Sequence, residues 1–516
     1  MRDAASCQFR AALSSASFIL FLLAALLSAC NAPPPRDTLV MIIESGPANL
    51  DPRVGTDAQS ERIGKLIFDS LVHRDEHFNL QPWLAESWEI PDPLTYIFHL
   101  RHDVHFHDGS PLTARDVKWT FDSIISGKVV TPKASTFQFV KEVDAPDPYT
   151  IIFRLKEPYA TLLWNVSDGA IAIVPYGSGK DFNRHLIGSG PFRFVSLAPD
   201  TEVVIERNPD YWGKKASVER VRFAVIPDTT TRVLELRKGT ADVASNALTA
   251  DMALALRKER NLIVEESPGS IYSYLAFNLR DPILRDVRVR QAIAYAIDRG
   301  PMVHYLWQDQ AQLAAGILPP QHWAYTGNVR RYEHDPAKAR QLLDQAGYPL
   351  AHGHRFRITM KTSTEESSRL LAAVLQQQLA QVGIDLEIRT YEFATFYSDV
   401  QKGAFQLYSL RWIGGNEDPD IFEHAFHSKS FPPRRANRSF YSNPRADALI
   451  DQARATTDQA IRARLYQELQ QMLAEDLPYI NLWYLDNVVV HSSRVTNLHP
   501  TTSGNFDFLR SVRLSR

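Results

Sequence analysis

Residues 38–43, Thr-Leu-Val-Met-Ile-Ile, form a near-continuous apolar run. A strand with one wet face alternates apolar and polar residues, so a run without alternation is what a strand buried on both faces requires. A sheet covered on both faces needs helices above and below it, and this run therefore points to an α/β layer structure. The rest of the chain agrees. Residues 60–72 place Ile63, Leu66, Ile67 and Leu71 on one helical stripe. Thr113-Ala-Arg-Asp116 opens a helix as a capping-box analogue with Asp in place of Glu. Residues 95–108, 149–155, 192–194 and 203–205 are strand-like, and 229–239 is a short helix ending at Gly239. In the second half, Asp335-Pro336 caps a helix that Gly347 ends. Residues 365–382 put Leu371, Val374, Leu375, Leu379 and Val382 on one face, and Gly383 terminates them. Ile384, Leu386 and Ile388 then alternate with Asp385, Glu387 and Arg389 as a half-buried strand. Residues 444–476 read as one long helix or two abutting ones, stopped by Pro478.

At 516 residues the chain has room for about three domains and for a core that needs no disulfide or metal staples. Its 57 Lys and Arg against 59 Asp and Glu leave no basic excess, which argues against a nucleic-acid partner. The two cysteines, Cys7 and Cys30, exclude four-cysteine zinc sites and disulfide frameworks. Both lie in an N-terminal segment with Arg2 and Arg10 ahead of the apolar stretch Phe18–Leu27. That stretch is short of the about 20 residues a spanning helix needs and fits a secretory signal. It ends in Leu27-Ser-Ala-Cys30, which resembles the bacterial lipobox. The expectation is a signal peptide over 1–29, acylation of Cys30, and a Pro-rich tether over 30–36. Several acyl chains on one cysteine give stable anchoring, so the membrane contact is through lipid alone. The mature chain would sit in the periplasm or on the outer face of the cell envelope, as a monomer without cofactor.

Signatures of catalysis are missing. There is no CxxC, HExxH or GxSxG, and no GxGxxG opens a helix. Gly177-Ser-Gly-Lys180 lacks the first Gly and the Ser/Thr of a phosphate loop. Of His99, His102, His105 and His107, the pair His105 and His107 would share a strand face and could take zinc or nickel, as in a secreted metal-dependent hydrolase. The competing reading is a polar strand or turn face beside Asp108-Gly109. No residue is assigned a catalytic role.

Five stretches, in order, carry a resemblance. The first runs from Leu80-Gln-Pro-Trp-Leu-Ala-Glu-Ser-Trp-Glu89 through Leu94–Arg101 to Phe106-His-Asp-Gly-Ser-Pro-Leu-Thr-Ala-Arg-Asp-Val117. The second is Gly188-Ser-Gly-Pro-Phe192 with Asn208-Pro-Asp-Tyr-Trp212. The third is Tyr274-Leu-Ala-Phe-Asn278 followed by Val287–Asp298, and the fourth is Asp335-Pro-Ala-Lys-Ala-Arg-Gln-Leu-Leu343 with Ala346-Gly347. The fifth is Trp412-Ile-Gly-Gly-Asn-Glu-Asp-Pro-Asp420. Together they resemble the bacterial extracellular solute-binding proteins of family 5, the dipeptide, oligopeptide and nickel receptors of ABC importers. The resemblance implies an α/β, two-lobed periplasmic-binding-protein fold of type II, cluster C, with an extra subdomain inserted in lobe I. It places lobe I at 37–75, 188–270 and 490–516, the insert at 76–187, and lobe II at 271–489. The hinge would be the crossovers near Ser270–Tyr274 and Trp483–Asp486, and the ligand would lie between lobes that close on it. Partners would be a small peptide-like solute, the ABC permease subunits and their ATPases.

In the dipeptide and oligopeptide receptors, the Asp of a W-x-G-D loop meets the ligand's α-ammonium. The matching position here is Gly415. A buried ammonium needs a counter-charge, so either Glu417 or Asp418 takes over, another residue supplies the charge, or the ligand has no free amine. The last possibility leaves an oligosaccharide, an opine or a metal chelate as ligand, and a sensor or adhesin as role. Asp418-Pro-Asp420 also reads as a structural helix start. Gly414-Gly415, with Asn416, would let backbone approach a ligand closely. The other candidate contacts follow from position. Ser45 and Asn49 follow the first strand, where α/β ligands usually sit. Tyr274 and Asn278 border the hinge, Tyr408 and Trp412 lead into the loop, and Tyr484 lies on the return crossover. For each aromatic the rival role is core packing.

Overall fold

The computed structural model describes residues 37–167, 171–414 and 417–515. The expected signal peptide, Cys30, the tether, Gly415 and Asn416 lie outside these residues. One mixed sheet of 11 strands runs through the molecule. Its order is Ile384–Tyr391, Phe356–Ser363, Leu407–Trp412, Leu262–Phe277, Tyr479–Ser492, Val243–Ser245, Thr38–Ile43, Arg220–Val225, Glu202–Arg207 and Phe192–Ala198, with Ala311–Leu313 added beside Tyr479–Ser492. The half around Thr38–Ile43 is lobe I, and the half around Phe356–Ser363 is lobe II. Among the described residues no helix is long and apolar enough to cross a membrane.

Strand Thr38–Ile43 is buried at every position and parallel to both neighbours. Its alternate side chains feed different cores. Leu39, Met41 and Ile43 pack with Phe192, Val221 and Phe508, whereas Val40 and Ile42 pack with Leu236, Leu256 and Val490. This is the two-sided burial that the apolar run demands.

Helix Ala58–Ile67 covers one side. Asp57 caps it by accepting from Ser60 N at 2.9 Å. It stops short of the residue 72 suggested by periodicity, although Leu71 is buried. The cause is the Gly188-Ser-Gly190 turn, which docks on its last carbonyl. Gly190 N donates to Ile67 O at 2.9 Å, and a Cβ on Gly188 would lie 1.9 Å from the same oxygen. Residues 444–476 are two helices, Pro444–Ala455 and Gln459–Asp476, the second capped by Asp458. The strand expected over 95–108 is confined to Thr95–Leu100. The Thr113–Asp116 capping box forms, with Thr113 N donating to Asp116 Oδ2 at 2.8 Å.

A separate antiparallel sheet, Ala85–Asp92, Thr95–Leu100, Thr150–Leu155 and Val140–Asp147, packs on helix Ala114–Ile125 around Phe98, Phe121 and Phe153. The two lobes are joined by the long antiparallel strands Leu262–Phe277 and Tyr479–Ser492. Their ladder is regular from Leu262↔Ser492 to Ser267↔Asn487 and slips between Ser267 and Ile271, then again between Ser273 and Tyr274. At the first slip Gly269 lies so close to the partner strand that a Cβ would sit 2.0 Å from Leu485 O. The crossover thus contains one glycine that close backbone approach requires, just outside the segment expected from sequence.

Candidate functional site

Between the lobes lies a cavity of about 500 Å³. Lobe I supplies the polar face of helix Ala58–Ile67, with Glu61, Arg62 and Lys65 toward the cavity and Ile63, Leu66 and Ile67 toward the core. Arg74, from the short strand Val72–Arg74, adds a third cation. Trp164 and Asn165 add to the lining, Ser503 and Asn505 belong to the C-terminal segment, and Ser270 and Ile271 come from the slipped crossover. Lobe II contributes Ile413, Gly414, Glu417 and Asp418, the loop after strand Leu407–Trp412.

Charges in this cavity are largely desolvated. Burial raises the Glu61 carboxyl above its usual range and lowers the Arg62 guanidinium. Arg62 also lies 5.5 Å over the Phe506 ring. Arg74 Nη1 meets Glu417 Oε2 at 2.9 Å, with side chains only 14% and 10% exposed, so an ion pair crosses from lobe to lobe. Asp418 divides its carboxyl between two tasks. Oδ1 accepts from Asp420 N at 2.7 Å and shapes the turn into helix Ile421–Phe426, whereas Oδ2 is buried without a hydrogen-bond partner. Burial pushes this carboxyl up to about 7, against the opposing pull of Arg462.

The loop is braced from behind. His322 Nδ1 accepts from Ala324 N, so Nε2–H donates to Glu417 O at 3.2 Å. Burial holds His322 neutral, down to about 3, and its ring stacks on Phe78 at 5.4 Å. Further along, Asp420 pairs with Arg454 at 2.6 Å, and Arg454 O accepts from Ala160 N at 2.8 Å. Arg74, Phe78 and Ala160 thus all touch segments that pack with the loop around Glu417 and Asp420.

Of the residues singled out from sequence, Gly414, Glu417 and Asp418 line this cavity. Trp412 stands one residue back, half-buried between Tyr274 and His424, with its Nε1 buried and unpartnered. Tyr274, Tyr408 and Tyr484 are fully buried core residues. Tyr274 stacks on Tyr479 at 4.3 Å, and the Tyr484 hydroxyl reaches the carbonyls of Gly316 and Leu318. Asn278 spends its amide on Gly403 O and Phe405 O, and Asn49 braces its own loop by accepting from Asp51 N. Ser45 is exposed at the end of the first strand, away from the cavity lining. Glu61, Arg62, Lys65, Arg74 and Trp164 are cavity residues that the sequence reading did not single out. A signal for the first three existed, since they share the polar side of a helix whose other side is core.

The histidines belong to structure. His107 Nδ1 accepts from Gly188 N and its Nε2 faces Gly190 O at 3.1 Å, while burial lowers it to about 4. His105 is exposed and bridges Pro111. Among the described residues no group of three or more His, Cys, Asp or Glu converges to hold a metal.

Comparison with known proteins accounts for this architecture. The family model for bacterial extracellular solute-binding proteins, family 5 Middle, matches residues 79–432. The "Probable di/tripeptide-binding protein 5" of Pseudomonas aeruginosa is 30% identical, over 96% of this chain and 98% of its own. The solved periplasmic binding protein DppA of Helicobacter pylori, in complex with peptide STSA, is similar at a TM-score of 0.75 and 29% identity, covering 93% of this chain and 98% of that one. The ABC transporter substrate-binding protein CtaP of Listeria monocytogenes is similar at 0.84 and 26% identity, covering 93% and 99%. These relatives are a probable di/tripeptide-binding protein, a periplasmic binding protein and a substrate-binding protein. The chain belongs to the bacterial extracellular solute-binding proteins of family 5.

Proposed function

We propose that this protein is an extracytoplasmic receptor that captures a peptide-like solute in the interlobe cavity and delivers it to an ABC permease, held at the membrane by acylated Cys30. The observation that carries the ligand class is Asp418, a cavity-lining residue whose carboxyl Oδ2 has no hydrogen-bond partner. An ammonium lodged against this carboxyl adds to the pull of Arg462 and favours its ionised form. In this reading Asp418 takes the role that Gly415 leaves open, and Arg62 and Lys65, across the cavity, face the ligand's acceptor groups. Contact with both lobes exists only when they are together, so the ligand's differential affinity drives closure. The permease then recognises the closed form, and ATP is spent by a separate subunit.

Thermal-shift screening of the purified chain with di- and tripeptides, the same peptides N-acetylated, sugars and metal chelates tests this. Free-amine peptides should raise the melting temperature and their acetylated forms should not. A ligand at 100-fold saturation adds about 2.7 kcal/mol of stability. Response to another class with silence to every peptide would sink the assignment.

A further inference from the structure

A separate cavity, of about 140 Å³, is lined by residues of helix Arg299–Trp307, of the chain that follows strand Ala311–Leu313 and of strand Tyr479–Ser492. It shares no lining residue with the interlobe cavity. Leu313, Ala314, Leu477 and Ile480 give it apolar walls. Three arginines, Arg299, Arg330 and Arg331, line it as well.

The three cations are not equivalent. Arg330 pairs with Glu475 at 2.7 Å, so its charge is answered. Arg299 has no carboxylate partner among the described residues. Its Nη1 donates to Ala314 O at 3.1 Å and to Asn481 O, which fixes the guanidinium in place. Its Nε and Nη2 make no hydrogen bond and are not sealed from solvent. Burial lowers this guanidinium, and Arg331, a second cation, lowers it further. Arg331 is exposed and has no ion-pair partner among the described residues. A desolvated cation beside another, with no counter-charge, favours an anion in contact with both.

Tyr325 adds a neutral donor. A Cβ on Gly327 would lie 3.2 Å from Tyr325 Oη and 3.7 Å from Arg331 Nη2, so hydroxyl and guanidinium flank one point. The planar fork of a guanidinium matches the two oxygens of a carboxylate. Glu333, exposed in the same lining, disfavours a doubly charged anion.

We propose that this cavity is a second binding site, for a small monocarboxylate with an apolar tail. The carboxylate is held by Arg299 and Arg331 and accepts from the Tyr325 hydroxyl, and the tail lies on the apolar wall. The site does not rest on the peptide reading, and its failure leaves that reading untouched.

Ligand-observed NMR titration of the full chain with butyrate tests this at constant ionic strength, with uncharged butyramide as control. Butyrate should bind in roughly the millimolar range, as its few non-hydrogen atoms allow. Butyramide should bind at least about tenfold weaker, since it forfeits charge-assisted hydrogen bonds. Arg331→Gln should weaken butyrate by about tenfold or more, and Tyr325→Phe by about threefold. Both variants should melt as the unaltered protein does, because neither side chain holds the fold together by an ion pair or hydrogen bond. Arg62→Gln, in the interlobe cavity, should leave butyrate binding unchanged. Absence of butyrate binding, equal binding of butyrate and butyramide, or undiminished affinity in Arg331→Gln or Tyr325→Phe overturns the site. A loss in Arg62→Gln as large as that in Arg331→Gln overturns it too.

Discussion

Asp418→Asn separates what the loop gives to folding from what it gives to binding. The carboxyl is raised to about 7 by burial, from an ordinary value of 3.8. A group whose folded-state value lies above its unfolded value resists ionisation in the folded state, so it removes stability as pH climbs from the lower value to the higher. Each unit is worth 1.36 kcal/mol, which sets a ceiling of about 4 kcal/mol at pH 8. Asn keeps an oxygen for Asp420 N and never ionises. At roughly 2 cal/mol/K per residue, a chain of this length has an unfolding entropy of about 1 kcal/mol/K, so the variant should melt up to about 4 °C higher at pH 8. The two proteins should converge near pH 4. His107, His322 and His424, all lowered by burial, give the opposite slope, losing stability as pH falls below about 6.5. That slope is common to both proteins and cancels in the difference. Calorimetric melts of both, without ligand, at pH 4 to 8 make the measurement. For peptides the order should invert, with the variant binding on the order of 30-fold weaker or worse, because a buried ammonium loses its charge partner. A melting difference that stays flat across this range, or that favours the wild type at pH 8, would refute the burial argument.

Arg74→Ala should leave Glu417 buried without its cation and weaken the closed state by roughly 3 kcal/mol, about a hundredfold in ligand affinity, with a larger radius of gyration by solution scattering; unchanged affinity would remove the pair from the closing contacts. Gly269→Val should push the crossover strands apart at Leu485 O and lower stability by about 3 kcal/mol or more in denaturant melts, whereas a surface-like loss under about 0.5 kcal/mol would contradict the close approach. Cys30→Ser should move the protein from the membrane pellet to the soluble fraction of lysed cells, and continued sedimentation with membranes would exclude the lipid anchor.

The layered architecture was legible because periodicity is a local property. The Thr38–Ile43 run, the Gly383 stop and the Thr113–Asp116 cap all appear where residue types demand them. Helix Ala58–Ile67 ended early because residues more than a hundred positions away press on its last carbonyl, and no local pattern carries that. The site was half-legible for the same reason. The loop after Trp412 is marked by its own residues, but the cavity is made by bringing 56–74, 164–165, 270–271, 413–414, 417–418 and 503–505 together. Tyr274 and Tyr484 lie on crossover strands as expected, yet both faces of those strands are covered there, so alternation does not distinguish cavity from core. Arg74 gave no signal at all, since its meaning depends on Glu417 in the other lobe.

The weaving of the sheet also dictates when the protein can be finished. The first strand, Thr38–Ile43, is separated from Tyr479–Ser492 by only the three-residue strand Val243–Ser245, and Arg494 donates to Thr38 O at 3.0 Å across 456 positions. Phe506, Phe508, Leu509 and Val512 complete the core that Leu39 and Met41 begin. A chain growing from its N-terminus therefore cannot close lobe I until its last residues arrive. Pairings of such long range are slow to form. A stop codon thirty residues from the end would remove little of the polypeptide yet leave its earliest-made lobe open, as damaging to folding as one placed far upstream.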